Sequence, residues 1–224
     1  MADRGAIIDV SPRISARIAV FPGDTPPTRE VAFDMKRGDA ITLSALRTTV
    51  HCGAHADAPS HYSRDGRTID AQPLELYWGE CEVLRVRAHA RADARAPASS
   101  ITRVSRADLD VDGGWVPSTQ RLLIATGSYP NADEWTANFL GLEPTFVDWL
   151  AASGVRLVGV DTPSVDTADS KDLPAHARFY AGDVAIIEGL VLAGVAAGKY
   201  ELCALPLALE GFDGSPVRAV LRQL

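Results

Sequence analysis

Apolar residues fall in short runs separated by glycine, proline and polar clusters, which is the pattern of a strand-rich chain. Residues 6–10 form the first such run and read as a strand. The prolines and glycine of Phe21-Pro-Gly-Asp-Thr-Pro-Pro27 forbid regular structure, so this segment is a loop. Residues 30–35 and 40–50, the second rich in Thr, Leu and Val, predict two antiparallel strands. Residues 80–88 predict another, with Val83, Leu84 and Val86. Continuous apolar runs at 121–126 and 155–160 read as buried strands. Between them the spacing predicts a helix over 144–152. Pro144 suits its first turn, Val147, Leu150 and Ala151 share one face, and Gly154 suits its C-terminal cap. A short helix over 173–180 and strands at 184–187, 200–205 and 217–221 complete the pattern. The fold class is α/β, with a mixed sheet and few helices.

The chain has 224 residues, 46% hydrophobic and 23% charged, enough to bury a core without disulfide staples. One domain spanning 1–224 is expected. Residues 88–100, where alanine alternates with charge around Pro97, read as a surface insertion. With 22 basic against 29 acidic residues the net charge is −7, which argues against nucleic acid and against anionic membranes as partners. No run approaches a membrane span, and the first ten residues do not resemble a secretion signal. The three cysteines, Cys52, Cys81 and Cys203, are too few and too scattered for a disulfide framework. A cytoplasmic protein is expected.

Only five histidines are present, yet three lie within eleven positions, in His51-Cys-Gly-Ala-His55-Ala-Asp57-Ala-Pro-Ser-His61. Gly53 and Pro59 oppose a regular helix here, so a loop at a strand end is expected to hold the imidazoles near one point. Small neighbours (Gly53, Ala54, Ala56, Ala58) permit close approach. Imidazoles with a carboxylate suit a borderline divalent metal such as zinc. His51, His55 and Asp57 would leave an open position for water, which a metal acidifies to a pKa near 7. Asp57 is able to bridge two ions. His61 would then be free as general acid and base. Further along, His176 and Glu188 are candidates to close on Asp57, because an acid ending an apolar strand is costly unless paired or metal-bound. His89 reads as a solvated side chain. Ser128 lacks the Gly-x-Ser-x-Gly context of a nucleophile elbow.

These residues resemble the signature of the metal-dependent cyclase family, which includes bacterial kynurenine formamidases and isatin hydrolases. Phe21-Pro-Gly-Asp24, Asp161-Thr-Pro-Ser-Val-Asp166, Asp169-Ser-Lys171, and His176 with Glu188 twelve positions later are similar to other family motifs. Many members carry threonine at Ala54 and phenylalanine at Tyr62. Ala54, Ala58 and Tyr62 together look more like the kynurenine formamidase branch. The resemblance implies a swivelling β/β/α fold and two divalent ions, zinc first, with manganese or cobalt also suited to the same donors. It implies His51, His55 and Asp57 on one ion, and Asp57, His176 and Glu188 on the other. It also implies His61 as proton carrier, Phe21 against the substrate, and a homodimer. The implied activity is arylformamidase, hydrolysing N-formyl-L-kynurenine to L-kynurenine and formate. The alternatives are an isatin-like cyclic amide or imide hydrolase, a non-catalytic metal- or small-ligand-binding module, and a metal-free structural protein.

Overall fold

In the computed structural model, residues 5–87 and 102–224 are described. The expected insertion over 88–100, with His89, lies outside the described residues. The strands are β1 (Ile7–Asp9), β2 (Thr28–Phe33), β3 (Leu43–Arg47), β4 (His55–Asp57), β5 (Trp78–Arg85), β6 (Arg103–Val104), β7 (Arg121–Ala125), β8 (Gly141–Leu142), β9 (Leu157–Val160), β10 (Ala185–Glu188), β11 (Gly198–Cys203), β12 (Gly214–Pro216) and β13 (Val220–Gln223). The α-helices are α1 (Pro59–Tyr62), α2 (Pro144–Ala152) and α3 (Pro174–Ala181). Nine strands form one mixed sheet in the order β1-β13-β11-β5-β7-β9-β10-β4-β12. Its centre, β5-β7-β9-β10, is parallel, and antiparallel strands flank it on both sides. The fold class is therefore mixed α/β, as the apolar runs predict.

Two cores lie on opposite faces of this sheet, and strand alternation explains the division. From β7, Leu123 and Ala125 enter the core built with Val83, Ile187 and Leu202. Leu122 and Ile124 enter the other, beneath Phe146, Val147 and Leu150 of α2 and Phe179 of α3. Pro144 occupies the first turn of α2, and Gly154, at φ 85°, follows its C-terminal end. Free Cys52 and Cys81 are buried as small apolar filler.

Several expected boundaries shift. The expected strand over 40–50 shortens to Leu43–Arg47, which pairs only with β2 in an exposed hairpin. The expected strand over 217–221 shifts to β13, Val220–Gln223, and a further strand, β12, precedes it. Gly-Ser-Pro in β12 carries no apolar signal, so it is invisible to periodicity. The largest correction concerns the histidine segment. It is not a loop throughout: His55–Asp57 is a fully buried strand, and Pro59 starts the one-turn helix α1. The Ala-His-Ala-Asp-Ala alternation is a period-two pattern. Ala54, Ala56 and Ala58 pack into the first core, while His55 and Asp57 point to the other side. These alanines are thus core residues and do not line the site.

Candidate functional site

Strand register brings the two halves of the chain together. In the β4–β10 pair Glu188 lies opposite His55, and Ile186 opposite Asp57. Directly opposite residues share a face, so Glu188 joins His55 and Asp57 although more than 130 positions separate them. On the other edge of β4, Gly214 lies opposite Asp57. Gly214 must be small, because a Cβ there would stand 2.9 Å from His51 Cε1. Gly189, at φ 67°, is likewise forced, since a Cβ there would run into the Gly53 carbonyl that holds His55.

His55 Nδ1 donates to the Gly53 carbonyl at 2.8 Å. That carbonyl only accepts, so the proton sits on Nδ1 and Nε2 presents a lone pair. Nε2 faces Asp57 Oδ1 and Glu188 Oε2, each at 3.4 Å. His176 repeats this arrangement. Its Nδ1 donates to Asp166 Oδ2 at 2.9 Å, and its Nε2 faces Asp57 Oδ2 at 3.5 Å and Glu188 Oε1 at 3.6 Å. Asp166 does this while also accepting the Ala175 and His176 backbone N–H groups at the start of α3, and Arg103 Nη1 at 2.7 Å. Carboxylates behind ligating imidazoles fix the ring and its tautomer in just this way. Glu188 Oε1 in turn accepts the Val165 N–H at 2.7 Å.

His51 stacks at a tilt on His61, with ring centroids 4.1 Å apart. His51 Nδ1 meets Asp57 Oδ1 at 2.9 Å, and its Nε2 meets Asp213 Oδ2 at 3.1 Å. His61 Nδ1 meets the same Asp213 oxygen at 3.3 Å. Donor atoms within 4.8 Å of one another form two groups, His55 with Asp57 and Glu188, and His51 with Asp57 and His61. Asp57 belongs to both. His176 approaches from α3, facing both carboxylates. Five candidate side chains, His51, His55, His61, His176 and Glu188, therefore converge around Asp57, while Phe21 lines the adjoining cavity.

The buried groups carry a charge imbalance that calls for a cation. Asp57, His55, His176 and Glu188 are all at most 3% exposed, and Asp57 Oδ2 has no hydrogen-bond partner. A buried carboxylate oxygen facing lone pairs is costly unless a positive charge lies between them. Oxygen and imidazole nitrogen are the donors a borderline divalent ion selects, so the residues present fit such an ion. In the metal-free protein, protons take that place. Burial disfavours the His51 cation, but Asp57 and Asp213 outweigh it and raise its pKa to about 9. Burial likewise opposes charge on His176, but Asp166, Asp57 and Glu188 raise it to about 10. Burial works against the Asp57 anion too, yet His176 and His51 hold it well below the usual carboxylate range.

The sign of the pH dependence follows. A histidine raised above its ordinary 6.5 stabilises the fold fully below that value, and the stabilisation is lost as pH rises through the folded value. The urea midpoint of the metal-free protein is expected to fall between pH 7 and 10. Saturating divalent ion is expected to flatten that decline, because a coordinated imidazole is already deprotonated. Urea melts across this range, with and without the ion, check both; a metal-free midpoint that stays constant would contradict the assignment.

A cavity of about 670 Å³ opens beside these side chains. It lies at the C-terminal ends of the parallel strands, where open α/β sheets place ligands. Phe21 and Trp135 meet edge to face at 4.6 Å on its wall, Tyr129 extends the aromatic surface, and buried Phe139 packs behind Tyr129 and Trp135. Asp161 also reaches the cavity, but Thr126 and the Gly127 N–H occupy its carboxylate. Ser128 Oγ is engaged by Thr126 Oγ1 and the Leu140 N–H, as a structural hydroxyl. Sequence reading missed Asp213, Trp135 and the support given by Asp166. Asp166 was visible only inside a motif, and Asp213 and Trp135 lie in segments without periodicity.

A model of the Cyclase family, described as "Putative cyclase", matches residues 8–167 of this chain. The chain belongs to the Cyclase family. Two solved structures are similar to this chain at 26% identity over nearly full length. One is described as a potential metal-dependent hydrolase with cyclase activity (TM-score 0.76, covering 98% of each chain). The other is described as a predicted metal-dependent hydrolase from Bacillus stearothermophilus (TM-score 0.75, covering 97% of this chain and 98% of that one). Isatin hydrolase A from Labrenzia aggregata, bound to benzyl benzoate, shares the cyclase fold at 21% identity (TM-score 0.76, covering 97% of this chain and 93% of that one). No helix among the described residues is long and apolar enough to cross a membrane.

Proposed function

We propose that this protein is a metal-dependent amide hydrolase whose reaction is that of an arylformamidase, N-formyl-L-kynurenine to L-kynurenine and formate. The observation that carries the reading is Asp57, a buried carboxylate between two donor groups with one oxygen unpartnered, beside an aromatic-walled cavity. His51, His55 and Asp57 would hold one divalent ion and Asp57, His176 and Glu188 a second, with zinc first and manganese or cobalt also suited. Ions so held supply Lewis acidity and bring the pKa of water toward neutrality. The two relatives at 26% identity, described as metal-dependent hydrolases, support this reading.

The residues of the chain supply the rest. Phe21 and Trp135 orient the aryl ring at the cavity wall. Asp213 accepts from His61 Nδ1, which leaves Nε2 to take and return protons. As water attacks the formyl carbon, His61 takes its proton. As the carbon–nitrogen bond breaks, the same nitrogen returns the proton to the departing aniline nitrogen. Asp166 and Arg103 keep His176 in its tautomer throughout.

An isatin-like lactam presents the same aryl C–N bond, and isatin hydrolases share this fold, so it is the competing substrate. Steady-state kinetics of N-formylkynurenine, formanilide and isatin on protein of defined metal content separates the two. The expected result is the highest kcat/KM for N-formylkynurenine; an advantage for isatin would overturn the formamidase reading. The same reading includes a cytoplasmic homodimer. The exposed β2–β3 hairpin, bearing Phe33, Leu43 and Leu46, supports self-association.

A further inference from the structure

The cavity carries a feature that the reaction itself does not use. Arg85 ends β5 and lines the cavity partly buried, the sole lysine or arginine among its described lining residues. Its guanidinium has five donors, of which Nη1 meets the Val195 carbonyl at 2.7 Å. Among the described residues it has no other hydrogen-bond acceptor and no carboxylate within 4 Å. The nearest candidate by position, Asp161, is taken up by Thr126 and Gly127. A partly buried guanidinium lining an otherwise apolar and acidic cavity keeps donors free for an anionic group.

Its position fits a particular ligand shape. Arg85, Asp161 and Glu188 all stand at the same edge of the parallel strands, and β5 lies three strands from β10. At about 4.8 Å per strand that is about 14 Å between backbones, and residues from both ends of this span line the one cavity. Phe21 and Trp135 hold the aromatic wall of the same cavity.

We propose that Arg85 recognises the carboxylate of the substrate, so that the cavity takes aryl amides bearing an anionic arm, with the amide at His61, the ring at Phe21 and Trp135, and the carboxylate at Arg85. This rests on the amide-hydrolase reading and specifies its substrate class. The test compares wild type with Arg85→Met and Arg85→Lys. One readout is the ratio of kcat/KM for N-formylkynurenine to that for formanilide, which lacks the carboxylate. The other is the ratio of affinities for L-kynurenine and its amide, followed by tryptophan fluorescence without turnover. Arg85→Met is expected to lower both ratios by about 10- to 100-fold, the loss of a charge-assisted contact. Arg85→Lys is expected to retain part of each. A structural role through Val195 would lower all ligands together and leave the ratios unchanged, which overturns the proposal. So does a wild type that binds kynurenine no better than its amide. A wild type that prefers kynurenine through Arg85 yet hydrolyses neither formamide leaves the anion site standing and fails the functional reading.

Discussion

Asp57→Asn is expected to abolish tight binding of divalent ions and to lower kcat/KM by more than about 10³-fold. Asparagine keeps the shape of the side chain, so β4 retains its pairing with β10 and β12 and its alanines stay in the core. What changes is charge. Asp57 is the one residue shared by both donor groups, and its Oδ2 stands buried without a hydrogen-bond partner. The amide puts a neutral acceptor or an N–H donor where an ion requires an anion. His51 and His176 also lose a carboxylate that raises them, so in the variant both shift back toward neutrality. Metal analysis after desalting, with circular dichroism to verify the fold, checks this. A folded variant that still retains its ions would contradict the shared-ligand assignment.

His61→Ala is expected to lower kcat by about 10²- to 10⁴-fold, the usual contribution of a positioned proton carrier, while metal content stays at the wild-type level. The His61 side chain is 35% exposed and packs against the imidazole of His51, so its removal leaves the two cores untouched. Because His61 also stands within 4.8 Å of His51 and Asp57 donors, the metal assay is the deciding part. Loss of one equivalent of ion would make His61 a ligand and remove it as the proton carrier.

Some of this architecture is written plainly in the chain. The runs that become β7, β9 and β10 are apolar because both of their faces are buried, and Pro144 and Gly154 bracket α2. The histidine cluster is conspicuous by composition alone. Its geometry is not. Periodicity over three residues is too short to distinguish β4 from a loop, although the alternating alanines carry that signal. β12 is Gly-Ser-Pro, and its placement depends on the edge that β4 offers. Asp213 earns its contact with His51 and His61 only through that pairing, and Glu188 meets His55 only through the β4–β10 register. Trp135 reaches Phe21 from a segment with no regular structure. Long-range register, rather than local pattern, assembles the site, so the identity of its residues was more legible than their arrangement.

The most direct test is hydrolysis of N-formylkynurenine by one preparation of the wild-type protein, assayed as purified, after complete chelation, and after zinc or manganese is restored. The predicted result is turnover that vanishes with the metal and returns with it in proportion to ions bound. Undiminished turnover in the fully metal-free protein would contradict the account.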